Sequence, residues 1–199
     1  WMAVAATNRS VDVIAGKLTI GTQLLTNYTN LIANQDVLRS LGNSAKYSVL
    51  QTLLSIAVCS LAGYGFEVFH DKIKDAVMKV ILLAMMIPFV SMMVPLFQMF
   101  SKAKLMNTTL GFILPSLSTP FLIMLFRQAA RQFPMEMIEA ARIDGLGEFR
   151  IFTRMFIPTM RSTYAAAITV TFMGAWNSYM WPKVIMQDSR SQTMPMLIS

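Results

Sequence analysis

Residues Tyr47–Phe66, YSVLQTLLSIAVCSLAGYGF, contain no Asp, Glu, Lys, Arg or His. As a helix, a stretch of that length reaches roughly 30 Å, the thickness of a bilayer's hydrocarbon core. A surface helix of a soluble bundle carries charges along one face, and this stretch carries none. Three more segments share the property: Val80–Ser101, Leu105–Phe126 and Ser162–Pro182. In lipid, backbone polar groups must bond within their own segment, so each is expected to be a spanning helix. Composition agrees. The chain is 55% hydrophobic and 14% charged, against about 25% charged in soluble domains, and its mean hydropathy is +0.52. The fold class that follows is an all-α integral membrane protein, a polytopic helix bundle with about four full spans.

The net charge is +7. The basic residues form no continuous stripe with interleaved aromatics, so no nucleic acid is expected as a partner. Arginine-rich cytoplasmic loops beside a lipid bilayer explain the excess. Cys59, the single cysteine, lies in mid-span and reads as a small apolar filler. His70 stands alone in a short polar loop, whereas a metal site needs three or four converging groups. The 18 methionines are spread through every span rather than clustered with Cys or His. No metal or other cofactor is expected. There is no catalytic constellation at membrane depth and no GxxxxGK[ST] phosphate loop, so the chain is not read as an enzyme. Ion-coupled transporters carry ionisable groups inside their spans, and these four stretches have none.

The densest mixed charge, six arginines and four acids, runs from Arg127 to Arg161. The positive-inside rule puts this loop in the cytoplasm, and the Glu67–Lys79 loop with it. Residues 7–46, the 101–105 turn and the tail then lie outside. The opening WMAVAATNRS reads as the end of an apolar segment already under way, and TMPMLIS stops without a further span. The expected organisation is therefore 1–46 as the end of a first span plus an extracytoplasmic segment. Residues 47–182 form the transmembrane domain with the 127–161 loop, and 183–199 form an extracytoplasmic tail before a last span. Pro88, Pro95, Pro115 and Pro120 fall in the spans and suggest kinks.

Within the charged loop, Pro134 suits a helix start. MEMIEAARID follows, with Glu136 and Glu139 early and Arg142 late, as the helix dipole favours. Asp144-Gly145 stops it. EFRIFTRMF forms a second short helix up to Ile157-Pro158. Phe149, Phe152 and Phe156 share one face; Arg150 and Arg154 share another. Ala140 and Ala141 make a flat, small-residue surface. That surface suits a groove in a partner protein or an interfacial helix on lipid headgroups, and periodicity leaves both open.

Glu139-Ala140-Ala141, three residues, Gly145, then nine residues before Met155-Phe156-Ile157-Pro158 resembles the EAA signature of binding-protein-dependent ABC importer permeases. Met and Ile replace the first and third residues of its terminal I-x-L-P. FMGAWNSYMWP at 172–182 is similar to the Trp-Asn-x-aromatic-x-Trp-Pro stretch of carbohydrate-importer permeases of the maltose type, on the MalG-like side of the pair. Asn43-Ser44, Pro88, Pro95 and FRQ at 126–128 fit the same pattern.

The resemblance implies a type I importer permease of the bacterial inner membrane. That family has six spans, of which this chain would hold the end of the first and all of the second to fifth. The implied partners are a second permease, two ATPase subunits and an extracytoplasmic solute-binding protein. The implied cargo is a sugar or oligosaccharide, with a polyol or sugar phosphate as the alternative. The EAA loop would be the coupling helix seated in an ATPase cleft, which makes Glu139, Ala140, Ala141, Arg142, Asp144, Gly145 and Pro158 the expected coupling residues. Glu139 has two readings, a partner's basic group or capping of its own loop. Arg142 and Asp144 are expected to pair with each other or with the partner. Trp176, Asn177 and Tyr179 are the substrate-pathway candidates, because sugars favour amides and aromatic faces. Their structural reading is interface anchoring and an interhelical bond.

Overall fold

The computed structural model describes residues 1–198, Asn34 by its backbone alone, and every regular element among them is helical. Three short helices come first: α1 (Met2–Ala6), α2 (Ser10–Ile14) and α3 (Leu24–Asn34). Asp36 then caps α4 (Val37–Val68), its side chain accepting from the Arg39 N–H at 3.1 Å. The 32 residues of α4 rise roughly 48 Å, more than the hydrocarbon core is thick. Tyr47–Phe66 lies inside it, but the helix begins well before Asn43-Ser44.

The two faces of α4 invert the pattern of a soluble helix. Ser44, Ser48, Gln51, Ser55, Cys59 and Gly63 are buried, while Val49, Leu50, Leu53, Leu54, Val58 and Leu61 are exposed. Lipid solvates leucine as well as protein does, so close packing of small residues is what brings spans together. Gly63 shows the consequence. A Cβ there would sit 2.6 Å from the Phe126 Cβ, 2.7 Å from the Arg127 nitrogen and 2.8 Å from the Ile123 carbonyl oxygen. Backbone meets backbone at this point.

Beyond α4 the expected spans are broken. Asp71 caps α5 (Lys72–Ala84), accepting from the Lys74 N–H at 2.7 Å. The expected 67–79 loop thus shrinks to Phe69–Asp71. Lys74 also donates to the Asp71 carboxylate and holds it below the usual carboxylate range. A 101° bend separates α5 from α6 (Phe89–Lys102). Pro88 is the extended N-cap of α6, and a residue before proline avoids the helical region, so Val80–Ser101 does not run straight. Next come α7 (Thr109–Ile113), a 3-10 turn at Leu114–Ser116 and α8 (Pro120–Arg131), the last bent 54° from the preceding pair. Pro120 opens α8 and Pro115 is second in its turn, both within a first turn where the missing N–H costs little.

The chain continues through α9 (Met135–Ile143), α10 (Glu148–Ile151), a π turn at Phe152–Phe156 and α11 (Ile157–Thr159). It ends with α12 (Arg161–Trp176), α13 (Met180–Ile185), a 3-10 turn at Ser189–Ser191 and α14 (Met194–Leu197). The 16 residues of α12 rise only roughly 24 Å. Its C-cap is Asn177, whose Nδ2 donates back to the Met173 carbonyl at 2.9 Å. Four spans, some of them kinked, were expected; among the described residues α4 alone is a single helix long and apolar enough to cross a bilayer, and counting each bent pair as one span raises the number to as many as three.

Three cores line up along α4. Tyr47 packs with Phe112, Trp181 and Met186 at one end. Ile56 and Cys59 pack with Leu122, Phe126 and Ala167 in the middle. Tyr64 packs with Phe133, Ile138 and Phe156 at the other end. Asn43-Ser44 tethers the tail: Asn43 Nδ2 donates to the carbonyls of Arg190 (2.9 Å) and Gln192 (3.0 Å), and Ser44 Oγ accepts from the Met194 N–H at 2.8 Å.

Gly63→Ala must push α4 away from α8. It is expected to lower stability by about 1–3 kcal/mol, read as a lower melting temperature in detergent. Gly65→Ala, which meets nothing within 4 Å, is the control expected to leave the melting temperature unchanged or slightly raised.

Candidate functional site

The charged loop folds as an elbow. Pro134 is the N-cap of α9 rather than its first residue. Gly145 takes φ +81°, the left-handed region that glycine enters without a Cβ penalty. Its N–H donates to the Arg142 carbonyl at 3.0 Å, and the Leu146 N–H donates to the Ala141 carbonyl at 2.9 Å. These bonds close the helix end and turn the chain into α10.

The inner face of the elbow sits on α4. Ile138 and Ala141 are buried with Phe133, Ile151, Phe152 and Phe156. Tyr64 of α4 packs its ring 5.0 Å from Phe156 and 5.2 Å from Phe152. The outer face follows from helical spacing: Glu136, Glu139, Ala140 and Ile143, at i, i+3, i+4 and i+7, are all exposed, Ile143 at 86%. The expected flat surface of two alanines is therefore half right. Ala140 faces out, and Ala141, 5% exposed, packs under the helix.

Phe149 is likewise 71% exposed and leaves the face of Phe152 and Phe156. The π turn at Phe152–Phe156 shifts the period, and Ile151 takes the inward place. Arg142 pairs with Glu148 across the glycine, Nε to Oε1 at 2.6 Å, rather than with Asp144. That hydrogen bond raises the Arg142 pKa above its ordinary value. Glu139 and Asp144 are exposed and make no ion pair among the described residues. Pro158 is exposed in α11, just past the π turn.

Beside the elbow lies a charge cluster that composition alone did not single out. The Arg127 side chain, 6% exposed, donates from Nε to Glu67 Oε2 at 3.0 Å and from Nη2 to Asp75 Oδ1 at 2.5 Å. Arg131 Nε reaches Glu67 Oε1 at 3.1 Å, and His70 Nε2 reaches Asp75 Oδ2 at 2.8 Å. One planar guanidinium thus clamps the ends of α4, α5 and α8. The signal in the sequence is an arginine directly after a charge-free run, with Glu67 directly after another.

The substrate-pathway candidates are not gathered into one site. Trp176 is half-buried and stacks on Phe172, centroids 5.7 Å apart. Asn177 is exposed and bonded back to its own helix. Tyr179 alone lines a cleft of about 290 Å³, with Gln51, Ser116, Ser178 and Trp181. The tryptophan that sequence reasoning passed over, Trp181, is the anchor: it is buried, its Nε1 donates to the Gly111 carbonyl at 3.0 Å, and Phe100 packs edge-on at 5.3 Å.

Arg127→Leu leaves two carboxylates facing each other without their shared cation. It is expected to cost about 3 kcal/mol, measured by chemical or thermal denaturation in detergent. Arg131→Gln removes a cation that is 53% exposed and is expected to cost under about 1 kcal/mol.

The chain matches the family described as "binding-protein-dependent transport system inner membrane component" over residues 55–199. It is 43% identical over 199 residues to the lactose transport system permease protein LacG of Rhizobium radiobacter, covering 100% of this chain and 73% of that one. It is 36% identical over 154 residues to the arabinooligosaccharides transport system permease protein AraQ of Halalkalibacterium halodurans, covering 77% of this chain and 55% of that one. Identity to the sn-glycerol-3-phosphate transport system permease protein UgpE of Escherichia coli is 31% over 193 residues, 93% of this chain and 69% of that one. The fold superposes with a TM-score of 0.84, at 18% identity, on a chain of a bacterial ABC transporter involved in the import of the acidic polysaccharide alginate. That match covers 100% of this chain and 70% of the other. By sequence, and with a fold that agrees, this chain belongs to the binding-protein-dependent transport system inner membrane component family.

Proposed function

We propose that this chain is a transmembrane permease subunit of an ATP-driven importer of the bacterial inner membrane, and that its cargo is a sugar or oligosaccharide delivered by an extracytoplasmic solute-binding protein. The lactose and arabinooligosaccharide permease proteins that it resembles support the cargo class. In this reading the 127–161 elbow is cytoplasmic and couples to an ATPase subunit. Residues 7–46 and the tail face outward, and a second permease completes the pathway. ATP hydrolysis belongs to the ATPase partner. An ion-coupled mechanism is not favoured for a member of this family.

The observation that carries the coupling role is the two-faced α9. Its inner side, Ile138 and Ala141, is packed onto α4, while its outer side, Glu136, Glu139, Ala140 and Ile143, is presented outward on the Gly145 elbow. A push on the outer face reaches the bundle through Tyr64 and the aromatic rings on it, because packed interiors transmit displacement rather than absorb it. Glu139, Ala140, Arg142, Asp144, Gly145 and Pro158 are exposed and serve as contact or elbow residues. Ala141 serves from beneath, by letting the helix sit close.

Isolation from native membranes in mild detergent, with co-purifying chains identified by mass spectrometry, tests this. Wild type is expected to bring down an ATPase and a second permease. Ile143→Asp is expected to lose the ATPase and keep the second permease. Ala141→Asp buries a charge and is expected to lower the yield of folded protein itself. Recovery of the ATPase at wild-type level with Ile143→Asp would contradict the coupling role of this face.

A further inference from the structure

We propose that the Gln51 amide, which lines two clefts, one between α4, α6, α7 and the start of α13 and the other between α4, α8 and α12, is a contact point for a neutral, hydroxyl-bearing solute in the transport pathway. This rests on the sugar-importer reading above. Gln51 is 8% exposed and lines both clefts, of about 290 and 330 Å³, which also share Ser116 and Ser178. Its amide makes no hydrogen bond among the described residues. The amide is not sealed off but opens onto both clefts, so its donors and acceptor are free for water or a solute there. Beside it in sequence, Ser48 Oγ and Thr52 Oγ1 on the same helix are enclosed without partners, as is Thr171 Oγ1 on α12, whose residue lines the second cleft. Polar side chains within a span face the interior or a water-filled path.

The lining selects a chemistry. Phe112, Tyr179 and Trp181 give aromatic faces, and Gln51, Ser116 and Ser178 give donors and acceptors that suit hydroxyl groups. Among the described residues no Lys, Arg, Asp, Glu or His lines either cleft. A phosphate or carboxylate would enter without a counter-charge, which low-polarity surroundings penalise. The clefts therefore suit a neutral saccharide rather than an anionic one. Gln51 lies four residues past Tyr47, roughly 6 Å into the charge-free stretch. That is a shallow position near the tethered-tail end, where a solute released from a binding protein would arrive first.

The test uses the whole importer, with its own ATPase and binding protein, reconstituted in liposomes. Uptake of a panel of radiolabelled neutral saccharides, including lactose, is compared with uptake of sn-glycerol-3-phosphate, for wild type, Gln51→Leu and Ser178→Phe. The expected result is wild-type uptake of a neutral saccharide, reduced about tenfold in kcat/KM by Gln51→Leu, the loss of roughly one good hydrogen bond. Ser178→Phe, which narrows both clefts at a residue they share, is expected to lower uptake sharply. The melting temperature of the Gln51→Leu complex should stay level, since the amide makes no hydrogen bond within the described residues. Unchanged uptake with Gln51→Leu would overturn the assignment. So would a loss of uptake accompanied by a lower melting temperature or by loss of the second permease, because Gln51 would then be a packing or subunit contact. Wild-type uptake of glycerol phosphate and of no saccharide would overturn the sugar reading itself.

Discussion

The approach of α4 to α8 at Gly63 is the contact on which the rest of the molecule depends. Between helices in lipid there is little hydrophobic drive, so association rests on close packing and on polar groups that meet across the gap. Gly63 supplies the first by having no Cβ to hold the backbones apart. One turn further along α4, Glu67 meets the buried Arg127, which supplies the second. Next to Gly63, Tyr64 points to the other side, under the rings of the elbow. Helical register thus ties three features to one position. A slide of α8 along α4 would break the clamp and move α4 against the floor on which the elbow sits.

That geometry gives the elbow two unlike faces with different jobs. The inner face is an ordinary core of aromatic and small side chains, and its role is rigidity. The outer face is a short stripe of two glutamates, an alanine and an isoleucine held clear of the bundle. Arg142 and Glu148 brace the turn across Gly145 without using the outer stripe.

Much of this was legible in the residues, and the misses have physical causes. Charge-free length identified the apolar helices, because the cost of unpaired backbone in lipid leaves few other options. It counted residues and not direction, so it missed the 101° turn between α5 and α6. Pro88 was in view, but whether a proline kinks a helix or ends it depends on its neighbours. Gly145 was read correctly as the elbow, since few other residues suit its φ. Ala141 and Phe149 were misplaced because facing is decided by what lies behind a helix. In the second case a π turn also changed the period. The partnership of Arg127 with Glu67 spans 60 positions and is invisible to local pattern. Asn177 was read as a pathway candidate or an interhelical donor, and its amide instead bonds the Met173 carbonyl of its own helix, while Gln51 was passed over inside an apolar run.

The most direct measurement is cysteine cross-linking in the assembled importer, in native membranes, with Cys59 replaced by alanine. Ile143→Cys and Ala141→Cys are compared using a short thiol-to-amine reagent. The two-faced elbow predicts a cross-link from residue 143 to the ATPase subunit and none from residue 141, which is covered by Tyr64 and its neighbours. Equal cross-linking from both positions, or from 141 alone, would contradict it, because α9 would then present a different face to its partner.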